Sequence, residues 1–331
     1  MTDTAHTDAV SFERIIDATP EEAFALFTEP ERLRRWQAVS AAVDLRVGGD
    51  YRMTLAPGHI ASGTFTEIDP GKRIIFTWGW VDFDDLPPGA STIVVDIEPA
   101  GDKTLVRLTH HGLSSDQAVS HCAGWTHYMD RLGNAVSAGD AGLDPWASGG
   151  DEPDHLSAAE ASWALCRHVM LPFTSEHREL PTPCADFTVH QLVEHLMGSL
   201  RALGGMVGAE IPEKIQATTA EDYIAHAAEG ALAAWRAHGT EGELPFFGGQ
   251  APATVPAGIL SLEFFIHAWD FARATDQSFS APAALTAFVT GVAQQIIRPE
   301  NRGEGKGFAE IAEPANDDAV SKLMAFTGRA T

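Results

Sequence analysis

Two periodicities divide this chain. Up to about residue 113, apolar and polar residues alternate in short runs bounded by glycine and proline. Beyond about residue 155, apolar residues recur every three or four positions. The first pattern predicts half-buried strands and the second amphipathic helices. Residues 8–16 (DAVSFERII) read as an opening strand, and Thr19-Pro20-Glu21-Glu22 is a capping box with proline in the first helical turn. Two short helices, EEAFALF and PERLRRW, follow. Strands are then predicted at VDLRV, YRMTLA, ASGTFTEID, RIIFTWGW, STIVVDIE and KTLVRLTHH, separated by turns such as Gly48-Gly49-Asp50 and Pro70-Gly71. Ser114-Ser115-Asp116-Gln117 is a second capping box, opening a long helix to about Val136. An antiparallel sheet wrapped on one long helix leaves a concavity, the natural place for an apolar pocket.

The segment 138–154 (AGDAGLDPWASGGDEPD) is dense in glycine, proline and aspartate and marks a linker between domains at 1–137 and 155–331. Beyond it the alternation of strands disappears. Helices are predicted at about 155–171, 188–207, 219–238, 256–274 and 281–297, a helical bundle. The fold class expected is therefore an α+β domain followed by an all-α domain.

Composition narrows the function classes. The 331 residues are 44% hydrophobic and 21% charged, with a formal net charge of −24 spread over both halves. That charge argues against nucleic acid and against anionic membrane surfaces as partners. No apolar run approaches the ~18 residues of a spanning helix, and MTDTAHTDAV has neither the basic flank nor the apolar core of a signal peptide. Cys122, Cys166 and Cys184 lack CxxC spacing and suit a reducing compartment. A soluble cytoplasmic protein is expected.

Candidate chemistry concentrates in 260–274 (LSLEFFIHAWDFARA), a helix apolar nearly all round and so expected to be buried. Glu263, His267 and Asp270 nevertheless fall within about 60° of one another on its surface. A buried carboxylate beside a buried imidazole is costly unless paired or bound to a metal. On the helix from Thr188 the apolar stripe runs through Val189, Leu192, Val193, Leu196, Met197, Leu200 and Leu203. His195 lies about 120° from its centre, facing either solvent or a groove shared with another helix. In the first half, His110 and His111 end a strand on opposite faces and cannot chelate together. Cys184, in the loop before Thr188, reads as structural rather than nucleophilic. GxxxxGK[ST], HExxH and GxSxG are absent, and GEGKG at 303–307 follows a helix rather than a strand.

Two resemblances sharpen these expectations. GGDYRM, TFTEIDPGKRIIFTWGW, the Pro-Pro pair, LTHHGL and HCAGWTHYMDRL resemble the START-like (SRPBCC) superfamily, in its branch of heat-shock ATPase activator homologues. The resemblance implies a helix-grip fold whose cavity binds apolar or aromatic small molecules. It places His121 and Trp125 on the cavity side of the long helix, either touching a ligand or fixing helix to sheet. Trp36, with Trp78 and Trp80, is expected as core or pocket wall. In the second half, PTPCADFTVHQLVEHLMG, LSLEFFIHAWDFARATDQ and KLMAFTGR resemble the DinB-type bundle of the mycothiol-dependent maleylpyruvate isomerase family, in an actinobacterial metal-binding branch.

That likeness implies a metal triad on His195, Glu263 and His267. Two histidines and a glutamate suit a divalent ion, zinc above all, with positions left open as in catalytic sites. Asp270 would accept a hydrogen bond from a liganding imidazole, or pair with Arg273 one turn on. The likeness further implies a low-molecular-weight thiol such as mycothiol at the open position. Three readings follow: a zinc- and thiol-dependent transferase or isomerase acting on a small apolar or electrophilic substrate; a non-catalytic ligand-binding or stress-response protein with a structural or vestigial metal site; and a cyclase- or hydrolase-like step in the START-like cavity. Substrate, catalytic residues beyond the metal set, and oligomeric state are open at this level.

Overall fold

The computed structural model describes residues 8–184 and 187–329. It divides into two compact units, Met1–Asp144 and Pro145–Thr331. In the first, the strands are β1 (Asp8–Ile16), β2 (Ser40–Val43), β3 (Asp50–Ala56), β4 (His59–Asp69), β5 (Arg73–Trp80), β6 (Ser91–Ala100) and β7 (Lys103–Leu113). The helices are α1 (Pro20–Thr28), α2 (Pro30–Leu33) and α3 (Ser115–Ala138). One antiparallel sheet runs β1-β7-β6-β5-β4-β3-β2, with α1 and α2 in the long connection between β1 and β2. Reciprocal capping boxes open α1 at Thr19/Glu22 and α3 at Ser114/Gln117.

Strict alternation in β6 sends Ile93, Val95 and Ile97 inward. On α3, Trp125, Tyr128, Met129, Leu132 and Ala135 share one face by their spacing and join the same core. This is the helix-grip arrangement expected. One strand differs from expectation. The run VDLRV is not a strand; β2 ends at Val43, and Leu45 and Val47 stand exposed. The next residues turn tightly, with Gly48 at φ +78° and Gly49 so close that a Cβ would lie 2.1 Å from the Asp44 carbonyl oxygen. The alternation was real but belonged to a turn.

The two short helices pack closely on the sheet. A void of about 10 Å³, lined by Phe27, Leu33, Val43, Tyr51, Met53, Phe65 and Phe76, remains among the aromatic side chains, room for about one water. After α3, Gly139 adopts the left-handed conformation that ends the helix. The chain is then fastened back to its own unit. Arg131 donates from Nε to the Trp36 carbonyl (2.9 Å) and from Nη2 to that of Gly142 (2.8 Å), and Asp144 accepts from His127 Nε2 at 3.0 Å. The glycine-rich composition of 138–154 therefore coexists with ordered contacts over its first part.

The second unit contains α4 (His155–Met170), α5 (Val189–Gly205), α6 (Ala220–His238), α7 (Thr254–Ala274), α8 (Ala283–Ile296) and α9 (Ala319–Phe326). The element around which it is built is α7, buried along nearly its whole length and packed on α4, α5 and α8. A small hairpin of β8 (Glu243–Phe246) and β9 (Gly249–Pro252) was not anticipated. Its turn has positive φ at Phe247 and Gly248, and with four-residue strands it carries too little alternation to be read. Among the described residues no helix is long and apolar enough to cross a membrane.

Candidate functional site

The candidate site lies where α5 meets α7. Glu263 and His267, one turn apart on α7, face His195 on α5. The shoulder position of His195 is thereby resolved: it looks into a groove shared with α7. His195 Nε2 lies 3.4 Å and His267 Nε2 3.6 Å from the same oxygen, Glu263 Oε2. The two rings are perpendicular with centroids 5.2 Å apart, and one ligand atom from each of the three residues lies within 4.8 Å of the others. Side-chain exposures of 38%, 20% and 7% for His195, Glu263 and His267 make the site open on the α5 side and closed on the α7 side.

Glu263 Oε2 is buried and has no hydrogen-bond partner. A buried carboxylate oxygen without a donor costs a few kcal/mol unless something positive occupies the position. Two imidazole nitrogens and this oxygen face one another, a grouping of ligand atoms that could hold a metal ion. Without an ion, the same groups attract one another by charge. Burial by itself would raise the Glu263 carboxyl, yet the His195 and His267 imidazoles hold it well below the usual range. Burial would lower His267, but Asp270 and Glu263 push it up to about 9.

Behind the site, His267 Nδ1 lies 3.0 Å from Asp270 Oδ2. Asp270 is fully buried, and its carboxylate is gripped at both oxygens by Arg329, Nε to Oδ1 at 2.7 Å and Nη2 to Oδ2 at 2.6 Å. The alternative pairing of Asp270 with Arg273 does not form. Arg273 instead lies over the Trp269 ring, 5.9 Å from its centroid. On the open side Phe187 stacks on His195, with centroids 5.1 Å apart and planes at 29°. Neither Arg329 nor Phe187 was picked out from the sequence. Phe187 sits in the loop before the Thr188 cap, and Arg329 shows only as an arginine after a glycine near the chain end. Cys184 is in the same loop as Phe187, its carbonyl accepting from Thr182 Oγ1 and Phe187 N–H.

In the first unit, Trp36, Trp125 and His121 do not line the small void. Trp36 is buried, donates to the Leu26 carbonyl at 2.9 Å and packs edge-on against Phe27. Trp125 Nε1 donates to His110 Nδ1 at 3.1 Å, and His110 Nε2 meets Ser91 Oγ at 2.8 Å. Ser91 Oγ itself donates to the Trp78 carbonyl at 3.0 Å, so the His110 proton resides on Nε2. Half-buried His121 accepts from Trp80 Nε1 at 3.3 Å, with its Nδ1 2.8 Å from the Gln117 carbonyl. These contacts join α3 to the sheet, the packing role weighed from the sequence. Both imidazoles are held neutral: burial, then the neighbouring His121 and His111, lower His110 to about 3, and burial lowers His121.

Residues 17–137 match the family model described as Activator of Hsp90 ATPase homolog 1-like protein. Residues 159–272, spanning His195, Glu263, His267 and Asp270, match that of the mycothiol maleylpyruvate isomerase N-terminal domain. Over 185 residues, 53% of this chain and 95% of the relative, the sequence is 31% identical to the uncharacterized protein Rv0738 of Mycobacterium tuberculosis. Each unit thus carries the match to one family, the first to the Hsp90 ATPase activator homologues and the second to the mycothiol maleylpyruvate isomerase N-terminal domain. Among solved structures it is similar to an AHSA1-like protein from Rhizobium etli, with 37% identity over 43% of this chain and 89% of that one and a TM-score of 0.36. It is also similar to CalU16 from Micromonospora echinospora, with 27% identity over 40% of this chain and 78% of that one and a TM-score of 0.34.

Proposed function

We propose that the second unit holds one divalent cation, zinc, on His195, Glu263 and His267, and that the protein is a thiol-using transferase or isomerase. The observation that carries this reading is the convergence of two imidazole nitrogens on one buried, partnerless carboxylate oxygen, with all three ligand atoms within 4.8 Å of one another. A set of three protein ligands with one open side is the arrangement of catalytic rather than structural zinc. Zinc bound there would supply the acidity that turns a neutral thiol into a nucleophile at physiological pH. The match to a mycothiol-linked family supports a low-molecular-weight thiol as that nucleophile.

The chain's own residues would do the rest. His195, the most exposed of the three, borders the entrance, and Phe187 stacked on it supplies an apolar wall for the substrate. Asp270 accepts the Nδ1 proton of His267, so a cation that displaces the Nε2 proton would meet the lone pair on the side facing the site. The substrate on this reading is a small electrophile with an apolar part, and the first unit assists by binding apolar molecules. Activity in the reducing cytoplasm, with the three cysteines as thiols, completes the proposal.

Elemental analysis of the purified full chain tests it. One zinc per chain is expected, and its loss in His267→Ala. A chain that carries no divalent metal at stoichiometric level overturns the reading. If metal is present, thiol titration of cobalt-substituted protein should perturb the visible spectrum. An inert spectrum removes the thiol step and leaves a metal- and ligand-binding protein.

A further inference from the structure

We infer that Arg329, near the chain end and outside residues 159–272, is a positioning residue for the metal site, acting through Asp270 on His267. The inference rests on the metal reading above. It starts from how the chain delivers this side chain. Helix α9 ends in a Schellman motif: the Gly328 N–H donates to the Ala325 carbonyl and the Arg329 N–H to that of Met324, each at 3.0 Å. Gly328 has φ +86°, and a Cβ there would stand 2.8 Å from the Ala309 carbonyl oxygen. Only glycine fits this turn, and the turn aims Arg329 inward rather than into solvent.

The inward aim has a defined end. The Arg329 side chain is 8% exposed and that of Asp270 0%. The two planar groups meet through two parallel hydrogen bonds, a geometry that fixes the carboxylate's rotation as well as its charge. The oxygen Oδ2 that takes the shorter bond is the one facing His267 Nδ1. Arg329 therefore decides where the acceptor for the imidazole proton lies. Without the guanidinium, the Asp270 carboxylate would be free to turn, and His267 would lose the fixed partner that orients its ring. The remaining guanidinium nitrogen, Nη1, reaches Thr327 Oγ1 at 3.3 Å and keeps the fork in place.

The test uses the full chain, with zinc itself as the probe, its affinity read by competition against a chromophoric chelator. Arg329→Ala should bind zinc about 10- to 100-fold more weakly than wild type, the usual cost of losing an outer partner of a liganding histidine. It should also alter the visible spectrum of the cobalt-substituted protein. Arg329→Lys should fall between the two, because one ammonium cannot span both carboxylate oxygens, and it replaces the alanine variant if that one does not fold. Arg273→Ala, whose side chain lies on Trp269, should bind zinc as wild type does. If Arg329→Ala melts earlier but binds zinc as tightly as wild type with an unchanged cobalt spectrum, Arg329 is only a structural clasp and the inference fails while the metal reading stands. If wild type itself binds no zinc, both fail.

Discussion

Replacing Asp270 by asparagine tests the buried clasp in its own right. The substitution keeps the shape and one acceptor oxygen, but it leaves the Arg329 guanidinium buried without a counter-charge. Removing one partner of a buried ion pair costs about 3–5 kcal/mol, and the retained acceptor argues for the lower end, about 3 kcal/mol. For a unit of this size each kcal/mol lowers the melting temperature by about 2–4 °C, so a fall of roughly 6–12 °C is expected. Calorimetry of the full chain with chelator present reads this without any contribution from metal. The relevant transition is the one that rises when zinc is restored. Pairing Asp270→Asn with Arg329→Met removes the stranded charge and should recover most of the loss, because a buried ion pair is often no more stabilising than apolar groups of its size. A single variant that melts within about 2 °C of wild type, or a double variant no better than the single, would refute the account of the pair.

Two further outcomes are expected. Zinc at a hundred times its dissociation constant should stabilise the second unit by about 2.7 kcal/mol, and chelator should reverse this in wild type but change nothing in His267→Ala; a chelator effect that persists in the variant would place the metal elsewhere. In the first unit, His110 stays neutral in the folded state down to about pH 3, whereas in the unfolded chain it takes up a proton near its ordinary value of about 6.5. Stability is therefore lost as pH falls through that window, by about 2 kcal/mol between pH 7 and pH 5. Denaturant titrations across that range should show a shallower slope for His110→Gln and an unchanged one for His111→Gln, whose ring is exposed on the other face; equal slopes for wild type and His110→Gln would exclude His110 as the cause.

Local pattern made most of the elements legible. Capping boxes at Thr19, Ser114 and Thr188 sit where helices start because the cap is chemistry within four residues. The hydrophobic period marked the sheet strands and the long helices for the same reason. It misled at 43–47, where alternating apolar residues lie in a turn, and it was silent at the β8–β9 hairpin, whose strands are too short to show a period.

The site divides along the same line. Glu263 and His267 share a face of α7 through helical geometry alone, and that was readable from their spacing. The direction of His195 was not, because a helical wheel says which way a side chain leaves its helix and not which neighbour stands there. Tertiary packing set α5 against α7 and placed both imidazoles on one oxygen. It also chose Arg329, 59 residues from Asp270 in sequence, over Arg273, three residues away. Asp270 is fully buried, and α9 with its glycine turn delivers a guanidinium to it at bidentate distance, while Arg273 is drawn onto the face of Trp269. Sequence by itself determined the two folds and a carboxylate–imidazole stripe on a buried helix. The tertiary structure decided which groups complete that stripe, because that depends on what long-range packing brings within a few ångströms.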